Sequence, residues 1–313
     1  MTVYTSLSAI SAARAPSVVT IGKFDGVHTG HRAILTAAVA EAEQRSLRSV
    51  AVTFDRNPLA LLRPEKCPPN LVALDRKIEL LAESGVDDVL VVTFDEAFAH
   101  LPARDFVQSA LVEALDARVV LVGADFRFGA GGRGTADTLR DLGAELGFGV
   151  VVVPDILGDD DRRVSSSAVR ELLAQGDIRG ATTMLGRAPS VRGHVVHGLK
   201  RGRELGYPTA NLETPPTGFV PAEGVYAGYL IDHDAVGTSR HPAAISIGIN
   251  PTFDDVHERQ VEAYVLDADL DLYGHLVDIE FIEHVRGMVA FEGVPALIDQ
   301  MGRDVDEIRD LLN

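Results

Sequence analysis

The stretch SVVTIGKFDGVHTGHRAILTAAVAEAEQRSLRSVAVTF, residues 17–54, reads as strand, helix, strand. Its ends, SVVTIG (17–22) and SVAVTF (49–54), are short runs rich in β-branched residues, and the TAAVAEAEQR between them carries apolar positions at helical spacing. The order repeats downstream. DVLVVTF (88–94), RVVLVG (118–123) and GVVVV (149–153) are further strands, separated by the helical patterns DRKIELLAES, RDFVQSALVEAL and TADTLRDLGAEL. Strand and helix in alternation imply right-handed crossovers and a parallel sheet covered on both faces. Sites in such sheets lie at the C-terminal ends of the strands. Two helices are expected to follow, near 167–175 and 177–185.

After Gly186 the pattern changes. SVRGHVVHG, GVYAGYLID, AAISIGIN, QVEAYVLD and HLVDIEFIEHV alternate apolar and polar residues and are separated by Gly, Pro and Asp turns, which predicts antiparallel strands and a small barrel. The chain ends in a helix, with Pro295 in its first turn and Leu297, Ile298, Met301, Val305, Ile308, Leu311 and Leu312 as one apolar stripe. The expected division is therefore residues 1–185, an α/β domain, and 186–313, a barrel domain. A length of 313 residues suits two cores at roughly 100–200 residues per domain.

Composition excludes several classes. With 46% hydrophobic and 24% charged residues the chain is neither disordered nor fibrous. No apolar run approaches the ~18 residues of a membrane span, and the N-terminus lacks the basic region of a signal peptide. Cys67 is the single cysteine, so neither an internal disulfide nor a cysteine-based metal site can form, and a cytoplasmic location is expected. The net charge is −17, with 10 basic and 21 acidic side chains after residue 186. Nucleic acid and membranes are not expected partners; a homo-oligomer is compatible with the sequence.

Against that acidic background two constellations stand out. In GKFDGVHTGHRAIL, His28 and His31 stand at the mouth of a helix, where unpaired N–H groups and the positive dipole end suit a polyphosphate. Solvated histidines or a zinc pair are the alternatives. In RRVSSSAVRELL, the side chains of Arg162, Arg163, Ser165, Ser166, Ser167 and Arg170 surround another helix start and offer donors to a leaving pyrophosphate, although Ser-Ser-Ser alone is an ordinary N-cap. The second constellation is GHVVHGLKRGRELGYPTANL. Gly193, Gly198, Gly202 and Gly206 allow close backbone approach to phosphates, and Lys200, Arg201 and Arg203 add charge. Thr209 and Asn211 share one face of an extended segment and can bind a hard cation. Glu262 is an acid on a strand otherwise apolar and aromatic. A decoy also appears: GAGGRG (129–134), with Asp155 about 20 residues on, matches a dinucleotide fingerprint except that Ala124–Phe128 separate it from its strand.

GKFDGVHTGH, GADFRFG (123–129) and SSSAVRELLAQGDI resemble the adenylyltransferase half of the bacterial bifunctional riboflavin kinase/FAD synthetases, within the wider nucleotidyltransferase superfamily. GRELGYPTANL, GVYAGYL, SIGINPTF, VEAYVLDADLDLYG and FIEHVRGM resemble the riboflavin kinase half, in the same order. The resemblance implies a Rossmann-like nucleotidyltransferase domain followed by a riboflavin kinase barrel with a C-terminal helix. It implies ATP contacts in the first half from Lys23, Phe24, Asp25, Gly26, His28, His31, Asp125, Arg162, Ser165, Ser166, Ser167 and Arg170. In the second half it implies ATP contacts from Gly193, His194, Gly198, Lys200, Gly202, Arg203, Gly206, Pro208 and Thr209. Mg²⁺ would sit on Thr209 and Asn211; Asn211, Glu262 and Arg286 would meet the flavin, with Glu262 as the base. Riboflavin, FMN and ATP are the implied small-molecule partners. Asp125 stands where some relatives have Asn, and Ile249 where Thr is usual. The rival readings are an adenylyltransferase for another phosphorylated cofactor with a non-catalytic barrel, and an NAD-dependent oxidoreductase.

Overall fold

The structure is a computed structural model that describes residues 1–158, 162–198, 206–235, 239–249, 259–268 and 270–313. By its internal contacts the chain divides into two units, one of Met1–Pro69 with Leu74–Ser165 and one of Asn70–Ala73 with Ser166–Asn313.

The first unit is built on β1 (Thr2–Tyr4), β2 (Ser17–Ile21), β3 (Arg48–Phe54), β4 (Asp88–Val92), β5 (Ala117–Gly123) and β6 (Gly149–Val153), ordered β1-β4-β3-β2-β5-β6. Every pairing is parallel. The Val-rich runs are strands because both their faces are covered: all residues of β2 and β4 are buried. Successive side chains enter different cores. Val19 and Ile21 join Val50, Val52, Val120 and Val122, whereas Val18 joins Val119 and Leu121. Ala38 and Ala42 of α2 (Thr29–Arg45) close the second cluster. The first is closed by Ile10 of α1 (Leu7–Ala12), by a helix running through Ala103–Phe106 and Val107–Ala114, and by Leu139 of a helix at Ala136–Leu146. From β2 the chain builds β3 and β4 to one side, then crosses back to place β5 and β6 on the other. The order therefore reverses between β2 and β5, and at such a switch point the loops diverge and leave a crevice.

In the second unit β7 (Ser190–Val196), β8 (Ala210–Leu212), β9 (Gly224–Asp232), β10 (Ser239–Ile249), β11 (Arg259–Val265) and β12 (Leu276–Arg286) form a closed antiparallel barrel in the order β10-β11-β8-β7-β12-β9. Tyr226, Ile245, Val261, Val277, Ile279 and Phe281 are fully inside. The helices at Ser166–Gln175 and Ile178–Leu185 lie near their expected positions and count by contacts with this unit, although the sequence pattern changes only after them. The final helix, Val294–Leu312, carries Pro295 in its first turn as expected. Its stripe differs from the apolar reading in one respect: Leu311 is 43% exposed, while Asp304, a carboxylate, is 4% exposed. Asp304 is inside because it binds a guanidinium, as described below.

Candidate active sites

The crevice between β2 and β5 receives the loop that follows β2. Phe24 and Val27 in that loop have left-handed backbones, at φ 47° and 39°, although neither is glycine. Such residues persist only where their surroundings hold them, and both side chains are buried. The turn, with Lys23 exposed, Asp25 half-buried and Gly26 at φ 80°, delivers His28 to the N-cap of α2, where its Nδ1 accepts the His31 backbone N–H at 3.3 Å. That bond places the proton of a neutral His28 ring on Nε2, a donor directed away from the helix. The His28 and His31 rings stack with centroids 3.7 Å apart, and Phe24 meets His31 edge-on at 5.3 Å. Gly30 lets the rings sit close to the helix, since a Cβ there would lie 3.2 Å from the His28 ring and press on it.

Burial, followed by the positive charges of His28, Lys23 and Lys77, holds the His31 pKa well below its ordinary value. His31 is therefore a neutral donor and acceptor near pH 7. Its Nδ1 is buried without a hydrogen-bond partner in the protein, and buried polar atoms of this kind are ordinarily satisfied by water, an ion or a ligand.

Other expected members meet this loop. The carbonyl of Val164 lies 3.8 Å from a Cβ placed on Gly30, at the first turn of α2. Arg163 bonds Asp125 at 2.6 Å and pairs with Asp155 at 3.1 Å, tying the loops after β5 and β6 together. Asp155 is thus engaged by an arginine and not free to read a ribose. Of the GAGGRG glycines, Gly129 and Gly134 are closely packed: a Cβ on Gly129 would strike the Ala103 backbone at 2.6 Å, and one on Gly134 the Phe128 ring at 2.7 Å. Ser165 ends the first unit, while Ser166 and Ser167 open the helix that also carries Arg170, counted with the second. Sequence reasoning missed Lys77, which lies 8% exposed on the helix Leu74–Glu83. Its sequence signal was only a lysine on an amphipathic helix.

The barrel site forms where β8 crosses β11. Their register sets Asn211 opposite Glu262, and Thr209, two residues before Asn211, shares its face. The Thr209 hydroxyl donates to Glu262 Oε2 at 3.1 Å. Asn211 Nδ2 donates to Thr209 Oγ1 and to the Thr209 carbonyl, each at 3.2 Å, and Asn211 Oδ1 accepts from Gln260 at 3.0 Å. A pocket beside this cluster is lined by Val195, Gly198, Pro208, Thr209, Asn211 and Tyr273, among others. A Cβ on Gly198 would lie 2.5 Å from the Asn211 amide and displace it from the cluster. Gly193 is buried within β7, and the exposed His194 directs its backbone N–H to Glu213 at 3.1 Å. Gly206 turns with φ 86°. Lys200, Gly202 and Arg203 lie outside the described residues, as do Arg201 and the side chain of Ile249. Arg286 is not part of the cluster: its fork grips Asp304 at 2.6 and 2.9 Å, and Nη1 donates to the Gly287 carbonyl at 3.0 Å.

The donor set of Thr209 hydroxyl, Asn211 carbonyl and Glu262 carboxylate is all oxygen, as a hard cation requires. Among the described residues no three His, Cys, Asp or Glu side chains converge as a metal cage. An oxygen set of this size would suit Mg²⁺, which takes one or two protein oxygens and completes its shell from phosphates and water.

A stacked imidazole pair at a helix N-terminus of a parallel α/β unit and a Thr–Asn–Glu cluster on a barrel thus stand in one chain, and the comparisons with known proteins give the class: a transferase with a nucleotidyltransferase domain and a kinase domain. The FAD synthetase family model matches residues 10–168 and the riboflavin kinase model residues 185–312. The bifunctional riboflavin kinase/FMN adenylyltransferase of Escherichia coli (strain K12) is 38% identical over 92% of this chain and 90% of its own length. The protein of that description from Bacillus subtilis (strain 168) is 33% identical over 95% and 93%. A solved structure from Streptococcus pneumoniae, described as a macrolide-efflux protein, superposes with a TM-score of 0.83 at 30% identity, covering 95% of this chain and 98% of that one. The efflux description belongs to that protein; here no helix among the described residues is long and apolar enough to cross a membrane. This chain belongs to the bifunctional riboflavin kinase/FMN adenylyltransferase family.

Proposed function

We propose that the two units run consecutive ATP-dependent transfers through the residues assembled above, with the boundary between activities at residues 185/186. The chain phosphorylates riboflavin to FMN and adenylylates FMN to FAD. The observation that carries the division of labour is the pairing, in one chain, of a stacked imidazole pair at a switch-point crevice with a Thr–Asn–Glu cluster on a barrel.

In the barrel, Glu262 accepts the proton of the riboflavin 5′-hydroxyl as that oxygen attacks the γ-phosphorus of ATP; the bond to the β-phosphate oxygen breaks and ADP leaves. The Thr209 hydroxyl orients the carboxylate. Thr209 and Asn211 would hold Mg²⁺, which would supply charge neutralisation at the phosphate oxygens. The family resemblance adds Lys200, Gly202 and Arg203 on the ATP phosphates and Arg286 on the flavin.

In the α/β unit the FMN phosphate, already ionised, attacks the α-phosphorus of a second ATP and expels pyrophosphate. No base is needed. His28 and His31 donate to phosphate oxygens whose charge grows in the transition state, and the orphaned His31 Nδ1 gains a partner. The resemblance assigns Ser165, Ser166, Ser167, Arg162 and Arg170 to the departing pyrophosphate, and Lys23 to Gly26 and Asp125 to ATP. Nothing in this scheme requires a second copy of the chain, and a homo-oligomer is compatible with it. The single cysteine and the ATP-consuming chemistry suit the cytoplasm.

The test is incubation with riboflavin, ATP and Mg²⁺ followed by chromatography over time. FMN should appear first and FAD later; a protein that makes FAD only from supplied FMN would leave the barrel non-catalytic. A fragment of residues 186–313 should make FMN and no FAD, and an inactive though folded fragment would move the boundary.

A further inference from the structure

Lys77 is a buried lysine that the transfer scheme does not use. Its Nζ donates to the carbonyl of Phe54, the last residue of β3, at 2.7 Å, and lies 3.5 Å from the carbonyl of Lys23 in the loop after β2. The Lys23 carbonyl also accepts the Thr53 hydroxyl at 3.2 Å. The ammonium therefore bridges two neighbouring strand ends at the crevice, one residue before the left-handed Phe24 whose ring faces His31. The charged groups that act on Lys77 are Asp25 and Asp55; those that act on His31 are His28, Lys23 and Lys77 itself. Asp55 in turn accepts the Phe94 backbone N–H at 2.9 Å, which extends the link to the end of β4.

We propose that Lys77 is a positioning residue for adenylyl transfer: its buried ammonium clamps the strained 23–28 loop onto β3 and so fixes the two imidazoles against the ATP phosphates. A surface lysine would gain little from two carbonyls that water can serve equally well. Here the charge is held inside at a cost, since burial pushes its pKa down to about 8 despite both carboxylates. The loop it holds contains two non-glycine residues at positive φ, so without the clamp the backbone has a reason to relax. A shift of about 1 Å in catalytic groups can lower a rate by roughly 100-fold.

The proposal rests on the assignment of His28 and His31 to ATP, and the experiment separates the two. The full chain is assayed for FAD formation from FMN and ATP and, in parallel, for FMN formation from riboflavin and ATP. Lys77→Met should lower the kcat of FAD formation by about 10- to 100-fold with the kinase rate within twofold of wild type. Lys77→Arg, which retains charge and donors, should recover at least part of that loss. Removing a positive charge near His31 should also move the acid limb of the pH–rate profile for FAD formation to higher pH in Lys77→Met, a shift that a packing defect would not give. Full FAD synthesis by Lys77→Met alongside loss in His31→Ala would overturn the clamp and keep the imidazole assignment. Full synthesis by both variants would overturn both. A Lys77→Arg protein as inactive as Lys77→Met, or an unmoved acid limb, would reduce Lys77 to packing.

Discussion

The two units handle the same cosubstrate with opposite chemistry. In the α/β unit the side chains at the mouth of the helix after β2 are two imidazoles, one held neutral by burial and by neighbouring positive charge. In the barrel the central side chain is an acceptor, Glu262, held by a hydroxyl and facing an amide. On the proposed assignment, the difference follows from the nucleophile. A phosphate arrives ionised and needs only its charge and that of the leaving group accommodated, whereas an alcohol must lose a proton. Architecture follows chemistry here: a parallel sheet supplies a helix N-terminus at a switch point, and an antiparallel barrel supplies two strands that set a carboxylate opposite an amide at fixed register.

The sharpest way to break this contrast is Glu262→Gln, which keeps the shape and removes the proton acceptor. Riboflavin phosphorylation should fall by roughly 10²- to 10⁴-fold, while FAD formation from supplied FMN continues. Loss of both would mean a folding defect, and retention of both would make Glu262 a surface strand residue. His31→Ala should have the converse effect, slowing FAD formation by about 100-fold, the scale for a lost charge-stabilising donor, with FMN accumulating at a near-normal rate. Unimpaired FAD synthesis would remove the imidazoles from the chemistry.

A smaller effect separates the units by pH. The His31 pKa is depressed in the folded state, so its contribution to stability is full above its ordinary 6.5 and is lost as pH falls from there through the folded value. His275 in the barrel is the reverse: its hydrogen bond to Asp232 raises its pKa, so its contribution is full below 6.5 and is lost as pH rises through the folded value. Hydrogen exchange followed peptide by peptide should therefore show the α/β unit loosening on mild acidification, less so in His31→Asn. The barrel should loosen slightly on the alkaline side, less so in His275→Asn. Equal and parallel slopes in the two units would contradict the opposite signs.

How much of this was legible in the sequence depended on the range of the interaction. The Val-rich strands β2 to β6 could be read because each is buried on both faces, and burial on both faces leaves a continuous apolar run. The His28 and His31 pair was legible because the chemistry is local, a cap and the first turn of one helix. β1 was missed, since three residues with exposed positions carry no period and gain order only by pairing with β4. β8 was read as a motif and not as a strand for the same reason; it is three residues long and pairs with β11 and β7. Asp304 sits among the stripe residues of the last helix, yet its burial is decided by Arg286, eighteen residues earlier and on another element. Lys77 is the extreme case. On its helix it looks solvated, and only the carbonyls at the ends of two strands, 23 and 54 residues away in sequence, reveal its task.

The claim that two separate sites share the work is tested most directly by mixing the full-length His31→Ala and Glu262→Gln proteins in equal amounts and following riboflavin, FMN and FAD by chromatography. Each variant alone should stop short, the first at FMN and the second at riboflavin. The mixture should carry riboflavin through to FAD, with FMN passing through solution between the two proteins. If either variant alone reaches FAD at the wild-type rate, or the mixture makes none, the division of the chemistry between the crevice and the barrel is wrong.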